Sequence, residues 1–495
     1  MSAHYPALII LIPLLAAFLN TAFVWLDKRL CYPTTVLGLG GSVYFCIRLL
    51  LKVVGNGTMA YHVGGWAPPM GIELRVDNLS ALVLLLVSVI AFMNIIASRK
   101  SINEELTFKS GAFYTIYLLF VTGLLGVVAT ADLFNLYVLL EITSLSAYAL
   151  LAMGNQDRAP LASLNYIFLG VVGASFYLLG VGYLYIMTGT LNMADVNSLL
   201  PGIAGSSAVM VAFVFCLVGI WIKMGLFPLH TWLPNAYSYA PVSSSRVIAP
   251  LMTKVMVYVM IRMMISVFGL DFVFEQISLE GWVVALASVA IISGAVMALA
   301  QKDLKKMLAY IIVCEIGYMV GGAWLGNSQG MTGAILHIVN DAIMTFALFL
   351  VLGNIVFTRK KTAIKDLRGI FSSMPWTMAG FILVGISIIG VPPTCGFFSK
   401  WYLLLGGIEA GASFFVFALV LSSLISAVLV FRVVETAFFS PEDGGHEHEK
   451  AALNEAPVSM LVPLGLTGVA IIAVGIWSGY IVQHIILPFI QQGIS

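Results

Sequence analysis

Residues 221–258, WIKMGLFPLHTWLPNAYSYAPVSSSRVIAPLMTKVMVY, place two lysines, Lys223 and Lys254, on either side of a polar segment that prolines interrupt. Apolar sequence flanks this segment on both sides. A lysine at the centre of a lipid-facing helix costs about 3 kcal/mol, so two of them predict an interior lined by protein and water. Ion movement through that interior is the leading hypothesis for the two lysines.

The composition indicates an integral membrane protein. Of the 495 residues, 60% are hydrophobic and 9% are charged, and the mean hydropathy is +1.02, which leaves too few polar side chains to cover a soluble globule. The net charge of +1 and the lack of a basic patch indicate neither an acidic partner nor a nucleic acid.

The sequence contains no motif typical of a cofactor or metal site. The five cysteines are scattered singly, and there is no phosphate loop, dinucleotide fingerprint, zinc-protease motif or haem-attachment motif. The run HEHE, residues 446–449, lies in an acidic loop and is predicted to be a solvated turn. We therefore expect no cofactor, no metal and no catalytic centre in this chain. If it serves a redox enzyme, the redox chemistry belongs to partner proteins.

Apolar runs of about 18 or more residues predict about fourteen membrane-spanning helices in an all-α fold. They lie near residues 5–26, 33–53, 79–97, 111–130, 133–153, 161–187, 207–228, 243–267, 281–300, 307–325, 331–356, 376–404, 411–434 and 457–486. Residues 55–80, between the second and third spans, alternate in polarity and contain Gly and Pro turns, which predicts a small extramembrane hairpin.

Two of these spans contain helix-breaking residues. The seventh is interrupted around Gly225, Phe227 and Pro228, and the twelfth at Gly390, Pro392, Pro393 and Gly396. Broken helices are tolerated at membrane depth where the backbone is buried in protein or lines an aqueous cavity. Both spans are therefore predicted to face the protein interior.

Positive charge is concentrated in the loops that follow odd-numbered spans. These loops carry Lys28, Arg29, Arg99, Lys100, Lys109, Arg158, Lys302, Lys305, Lys306, Arg359, Lys360, Lys361, Lys365 and Arg368. By the positive-inside rule these loops are cytoplasmic. This predicts a multi-pass protein of the cell membrane with both termini on the non-cytoplasmic side.

The charged residues of the spans occur in the same order in two halves of the chain. Glu141 of the fifth span precedes Lys223 by 82 residues (223 − 141 = 82), and Glu315 of the tenth precedes Lys400 by 85 (400 − 315 = 85). A further cation follows each lysine, namely Lys254 in the first half and Arg432 in the second. Tyr137, Ser144 and Tyr148 share the helical face of Glu141.

A repeat displaced by five crossings is inverted, because an odd number of crossings reverses the direction of the chain. The predicted parts are residues 1–110 with spans one to three, 111–268 with spans four to eight, 281–436 with spans nine to thirteen, and 457–495 with the last span.

The eleventh span carries a polar face between the two halves. His337, Asp341 and Thr345 are spaced four residues apart, and Asn340 lies beside them. Histidine titrates near neutral pH, and hydroxyl and carboxyl neighbours suit a proton relay through water. The alternative for all these charges is a set of buried pairs that only fix helix packing.

The stretches KMGLFPLHTWLPNAYSYAP (223–241), LFNLYVLLEITSLSAYALLA (133–152), DLKKMLAYIIVCEIGYM (303–319) and GVPPTCGFFSKWYL (390–403) resemble the proton-translocating antiporter-like subunits. That family is shared by Mrp-type cation/proton antiporters, respiratory complex I and membrane-bound hydrogenases. The resemblance implies a fourteen-helix fold with inverted five-helix repeats, and it assigns proton-translocation roles to Glu141, Lys223, Lys254 and Lys400.

The chain departs from the family pattern at Glu315, where relatives often have histidine or glutamine. It departs again at Asp341 and Thr345, where relatives often have histidine and lysine. We expect His337 to take part in translocation and Glu315, Asp341, Thr345, Tyr137 and Ser144 to be possible relay residues.

The function expected from the resemblance is that of a proton-translocating component of a multisubunit complex, foremost the D component of a Mrp-type Na⁺/H⁺ antiporter. The first alternative is a proton- or sodium-pumping membrane component of a complex I-like NADH dehydrogenase or a membrane-bound hydrogenase. The second is a coupling or scaffold component that no longer pumps, for instance in inorganic-carbon uptake. Expected partners are other membrane subunits, further antiporter-like subunits among them, with protons as the transported ions and Na⁺ as a further candidate.

Overall fold

The computed structural model describes residues 2–438 and 453–494, so the HEHE run at 446–449 lies outside the described residues. Almost all of the described chain is helical. The membrane helices are α1 (Tyr5–Leu26), α2 (Cys31–Asn56), α3 (Asn78–Glu105), α4 (Ser110–Ala129), α5 (Leu133–Ala152), α6 (Ala159–Thr188), α7 (Ser207–Met224), α8 (Val242–Arg262), α9 (Glu280–Ala300), α10 (Leu304–Ala323), α11 (Ser328–Arg359), α12 (Pro375–Ile389), α13 (Cys395–Glu409), α14 (Ser413–Phe438) and α15 (Val458–Ile476).

The prediction of an all-α membrane protein with about fourteen spans is confirmed. Within the described ranges, 13 helices are long and apolar enough to cross a membrane. The one remaining predicted span, the twelfth in chain order, consists of two shorter helices, α12 and α13, in place of one continuous helix near 376–404. The last predicted span, 457–486, ends earlier as α15, after which short helical segments continue from Ser478.

The predicted hairpin between the second and third spans is present. Strands β1 (Met59–His62) and β2 (Glu73–Val76) pair antiparallel, with Met59 opposite Val76. The next residue, Asp77, caps α3, because its carboxylate accepts the backbone N–H of Ser80 at 3.0 Å. The hairpin therefore leads directly into the third span.

In each half, an isolated β-bridge precedes the helix that carries the intramembrane glutamate. Asp132 forms an isolated β-bridge with Asn192 before α5, and Asp303 forms one with Ala363 before α10. Each aspartate also caps the helix that follows it. These positions differ by 171 residues (303 − 132 = 171), which gives a structural register between the halves.

The two breaks also share their backbone geometry. α7 is followed by the C-cap residue Gly225 (φ 76°) and α12 by Gly390 (φ 93°), and both glycines lie in the left-handed region. The N–H of Gly225 is bonded to the Ile222 carbonyl at 3.3 Å, and that of Gly390 to the Ser387 carbonyl at 3.1 Å. Such glycine ends satisfy the last carbonyls of a helix at membrane depth.

Helices α8 and α11 form the centre of the molecule. They are the most buried of the described spans: 89% of the apolar stretch that includes α8 is buried inside the protein, and 94% of that of α11. α8 packs against α11, and α11 packs against α13, so the first half meets the second along these helices. Polar side chains on α8 and α11 therefore face protein on all sides.

Candidate functional site

Glu141 and Lys223 form the first buried ion pair. The Lys223 ammonium lies 2.9 Å from the Glu141 carboxylate and donates a second hydrogen bond to Ser144 Oγ at 2.8 Å. The Lys223 side chain is 3% exposed, whereas that of Glu141 is 24% exposed. The lysine is thus sealed inside, and its counter-ion borders the outer surface of this chain.

Aromatic rings form one wall beside this pair. Tyr148 packs edge-on against Tyr166, which stacks on Trp232 with ring centroids 3.9 Å apart. The Trp232 indole donates to the carbonyl of Ile222, the residue before Lys223. Tyr137 lies against Phe134, and no hydrogen bond within the described chain joins it to the pair.

A second ion pair joins the two halves of the molecule. The Lys254 ammonium of α8 lies 2.8 Å from the Asp341 carboxylate of α11, with both side chains at most 3% exposed. Thr345 donates to the other oxygen of Asp341 at 2.8 Å and lies 3.3 Å from the lysine. Asp341 therefore lies where it can accept a proton from Lys254, and Thr345 is hydrogen-bonded to both groups.

Glu315 and His337 form a third buried contact. His337 Nε2 lies 2.5 Å from the Glu315 carboxylate, and its Nδ1 lies 2.8 Å from Ser399 Oγ. Both side chains are at most 2% exposed. The imidazole thus bridges α10 and α13, with the residue beside Ser399 being Lys400.

Lys400 lies on α13, after the second break, and no carboxylate in the described part of the chain is within ion-pair distance of it. Its ammonium donates to the Ile388 carbonyl at 2.5 Å and lies 3.3 Å from Ser423 Oγ. It also lies 4.9 Å from the centre of the Tyr318 ring. The carbonyl end of α12 and an aromatic face therefore hold this cation.

The sequence repeat and the structural register differ at the charged residues. The register of 171 places Glu315 opposite Ser144 (315 − 144 = 171), not opposite Glu141. The close contacts of Gly123 with Thr143 and of Gly294 with Cys314 have the same offset. Lys223 lies two residues before Gly225, in front of its break. Lys400 lies after its break, but its ammonium donates to the carbonyl of Ile388, which is likewise two residues before Gly390. The similar spacings of 82 and 85 are thus not a residue-by-residue repeat.

Other ionic contacts do not follow from the sequence. Arg262, at the end of α8, pairs with Asp77 at 2.5 Å, and Arg432 donates to the carbonyls of Leu299 and Gln301 at the end of α9. Burial raises the pKa of the Asp77 carboxyl, but the charge and hydrogen bonds of Arg262 outweigh burial and hold that pKa below its usual range. Arg432 therefore caps a helix and does not occupy a site like that of Lys254.

The buried ionisable side chains thus form three separate contacts, Glu141 with Lys223, Lys254 with Asp341, and Glu315 with His337. Asp341 and His337 are one helical turn apart on α11. The groups alternate between carboxylates, ammonium groups, hydroxyls and an imidazole, all of which exchange protons. Within the described residues no group of three or more His, Cys, Asp or Glu side chains is arranged to hold a metal ion.

Comparison with protein families matches residues 130–426 to the family described as NADH:quinone oxidoreductase/Mrp antiporter, TM. A protein named as the N subunit of NADH-quinone oxidoreductase, from Desulforudis audaxviator, is 41% identical, over 98% of this chain and 98% of its own length. A protein of Bacillus subtilis named as the D component of a Na(+)/H(+) antiporter is 29% identical, over 93% of each chain.

Two solved structures share the whole fold. A chain of the membrane-bound sulfane sulfur reductase, an archaeal respiratory membrane complex, has a TM-score of 0.90 and 29% identity, covering 99% of this chain and 97% of its own. A chain of the Mrp complex from Dietzia sp. DQ12-45-1b has a TM-score of 0.86 at 21% identity, covering 100% and 99%.

Proposed function

This chain belongs to the NADH:quinone oxidoreductase/Mrp antiporter membrane-protein family, and from that premise we propose that it translocates protons as one component of a multisubunit membrane complex. The observation that carries the proposal is the succession of buried ionisable contacts, Glu141 with Lys223, Lys254 with Asp341, and His337 with Glu315. Such residues are expensive inside a membrane and mark ion pathways.

The Glu141 and Lys223 pair acts as the switch at the first end of the path. While the pair is closed, the carboxylate stabilises the protonated lysine. When the pair opens, the ammonium is left in a poorly solvated interior, which favours release of its proton. Because Glu141 is partly exposed at the outer surface of this chain, a charge on a neighbouring subunit can attract it and open the pair.

The released proton passes through water to Lys254, whose carboxylate partner Asp341 carries it onto α11. The proton then reaches Glu315 through water, and His337 takes it up on Nε2 while giving up the proton of Nδ1 towards Ser399, the neighbour of Lys400. Lys400 receives the proton beside the second break and releases it on the opposite side. Na⁺ is the further candidate ion.

We place the path in the cell membrane with both termini outside the cytoplasm, because the positive loops follow odd-numbered spans. A reporter that is active only in the cytoplasm tests this orientation. Fused after α1, near Lys28, it should be active, whereas fused at either terminus it should be silent. The reverse pattern contradicts the orientation.

The central test replaces Glu141 with Gln or Lys223 with Ala in the assembled complex. We expect proton translocation into vesicles to be lost while assembly is retained. Glu104→Gln is the matched control, because Glu104 forms an exposed ion pair with Lys360 and should transport normally. Normal translocation in both Glu141→Gln and Lys223→Ala would show that the mechanism is wrong.

Two settings for the complex follow from the family, a Mrp-type antiporter and a redox-driven pump. The sequence pattern favours the D component of an antiporter. The 41% identity to a protein named as the N subunit of NADH-quinone oxidoreductase, against 29% for the antiporter protein of Bacillus subtilis, favours the redox-driven setting.

Purification of the intact complex decides between these settings. Iron–sulfur proteins in the complex exclude a simple antiporter, and small membrane proteins alone exclude the redox setting. A complex with normal energy coupling but no translocation through this chain would instead indicate a scaffold.

A further inference from the structure

One face of α8 carries buried polar atoms that lack partners. Ser243 Oγ, Arg246 Nε and Nη2, and Thr253 Oγ1 have no hydrogen-bond partner among the described residues. All three side chains are at most 1% exposed. Unpaired polar atoms are costly in a protein interior, and ordered water is their usual partner there. None of these three residues belongs to the relay described above.

These atoms lie on one face of α8 that leads from its N-terminal end to Lys254. At about 100° per residue, Ser243, Arg246, Thr253 and Lys254 fall within about 100° of one another around the helix. Ile248 and Val255 lie on the opposite side. The unpartnered atoms thus form a file, not a random scatter over the helix.

Arg246 is the central residue of this file. Its guanidinium rests against the backbone of Gly353 on α11, where an added Cβ would overlap Nη2. Nη1 makes one long contact, 3.5 Å, with Ser98 Oγ of α3. Glu105, at the end of α3, attracts Arg246 electrostatically but forms no ion pair within 4.0 Å with it.

The helix is locally open between Arg246 and Lys254. Pro250 has no N–H, so it cannot bond the Arg246 carbonyl one turn before it. Lys254 reaches back to the Ala249 carbonyl at 3.4 Å. Eight residues at about 1.5 Å each separate Arg246 from Lys254 by about 12 Å, a gap that a few water molecules span.

From these observations we propose that α8 lines a hydrated inlet of its own, from its N-terminal end past Ser243, Arg246 and Thr253 to Lys254. Arg246 holds the water and excludes alkali cations. This inference deepens the proposed function, on which it rests, because it names the water that supplies protons to Lys254 while the Glu141 and Lys223 pair still controls each transfer.

The selectivity follows from the chemistry of the guanidinium group. It offers five N–H donors and no acceptor, whereas Na⁺ and K⁺ require oxygen ligands to replace their hydration shell. A bare cation beside Arg246 also meets a fixed positive charge that only Glu105 partly offsets. A proton passes instead by rearrangement of hydrogen bonds among the waters.

Thiol labelling of the intact complex tests the water directly. Ser243→Cys and Thr253→Cys should react with a small water-soluble thiol reagent at least about tenfold faster than Ile248→Cys and Val255→Cys, because only a hydrated thiol ionises. The five native cysteines are all buried and provide the background. Equal rates at all four positions would overturn the inlet. Labelling does not depend on pumping, so it decides the inlet even if the complex translocates no protons.

Substitution of Arg246 tests the selectivity in vesicles containing the complex. Arg246→Gln should admit radioactive Na⁺ about tenfold faster than the parent, and Arg246→Lys should restore exclusion. Gly353→Ala, which pushes the guanidinium aside without removing its charge, is the second variant if Arg246→Gln does not assemble, and it should raise Na⁺ uptake in the same direction. Unchanged exclusion of Na⁺ in the assembled variant would overturn the role of Arg246.

Discussion

Charged residues of the proposed path lie in buried pairs, and each charge is stabilised by its partner. Lys254 and Asp341 are the clearest case, because both side chains are nearly fully buried and come from different halves of the molecule. A lone buried charge costs far more than a well-packed apolar pair of similar volume. Stability and transport can therefore be separated at this pair.

Asp341→Asn should reduce the stability of the complex by about 3 kcal/mol, because it strands the Lys254 ammonium. The double variant Lys254→Met with Asp341→Leu should regain most of that loss while transport stays abolished. The thermal midpoint of the purified complex and proton uptake by vesicles measure the two effects. Transport that recovers together with stability would reduce this pair to a packing contact.

Asp77 gives a pH-dependent contribution outside the spans. Its folded-state pKa lies below its ordinary value of 3.8, despite burial, because Arg262 and Ser80 stabilise the carboxylate. A carboxyl whose pKa is lowered by folding stabilises the fold above its unfolded pKa, and the contribution is lost as pH falls through the folded pKa.

Asp77→Asn should therefore cost about 2 kcal/mol at pH 7, and the difference from the parent should shrink below about pH 4. Thermal midpoints measured across this pH range test the prediction. Asp157→Asn, at an exposed position, should show no difference at either pH. A gap between Asp77→Asn and the parent that is constant with pH would exclude the ion pair as its cause.

At the residue scale the sequence identifies Glu141 and Lys223 as charges inside spans, and the family resemblance assigns their roles. The sequence does not predict that Lys254 pairs with Asp341 or that His337 contacts Glu315, since those contacts depend on how α8, α10 and α11 meet. Arg246 carries a signal in the sequence, because it is a charge in the first turns of an apolar span.

At the scale of elements, hydropathy predicts the number of spans, and glycine and proline predict the positions of both breaks. The breaks are predictable because glycine and proline act locally on the backbone. The register between halves is not, because it is set by the β-bridges of Asp132 and Asp303, which join residues far apart in sequence. Spacing alone therefore matches Glu315 to Glu141.

Gly225→Ala tests the first break as an element. The new side chain must adopt φ near 76° and lies 2.9 Å from Leu233 Cδ1, so we expect a loss of about 1–2 kcal/mol. Gly182→Ala is a matched control within α6, where nothing lies within 4 Å and φ is helical, and it should be neutral or stabilising. The thermal midpoint should fall for Gly225→Ala and stay level or rise for Gly182→Ala, and a harmless Gly225→Ala would contradict the role given to the glycine end.

At the scale of the whole molecule, the proposed mechanism predicts one path through the α8 and α11 contact and not two parallel ones. Steps in series are not independent, so removing a second step after the first has failed changes little. Lys223 and Lys400 stand near the two ends of the path and provide the test.

Lys223→Ala and Lys400→Ala should each abolish proton translocation by the intact complex, and the double variant should be no worse than either single variant. Vesicle proton uptake normalised to assembled complex measures this. If each single variant retains about half of the rate and only the double variant loses it all, the halves carry separate paths.

The contact between Arg246 and Gly353 constrains how this protein can diverge in evolution. Because the guanidinium fills the space of a Cβ at position 353, a lineage that acquires a side chain there must either move or replace the arginine on α8. The two substitutions, each harmful alone, should therefore appear together in related sequences. Ion preference would then change in one evolutionary step while the central acid and lysine pairs stay in place.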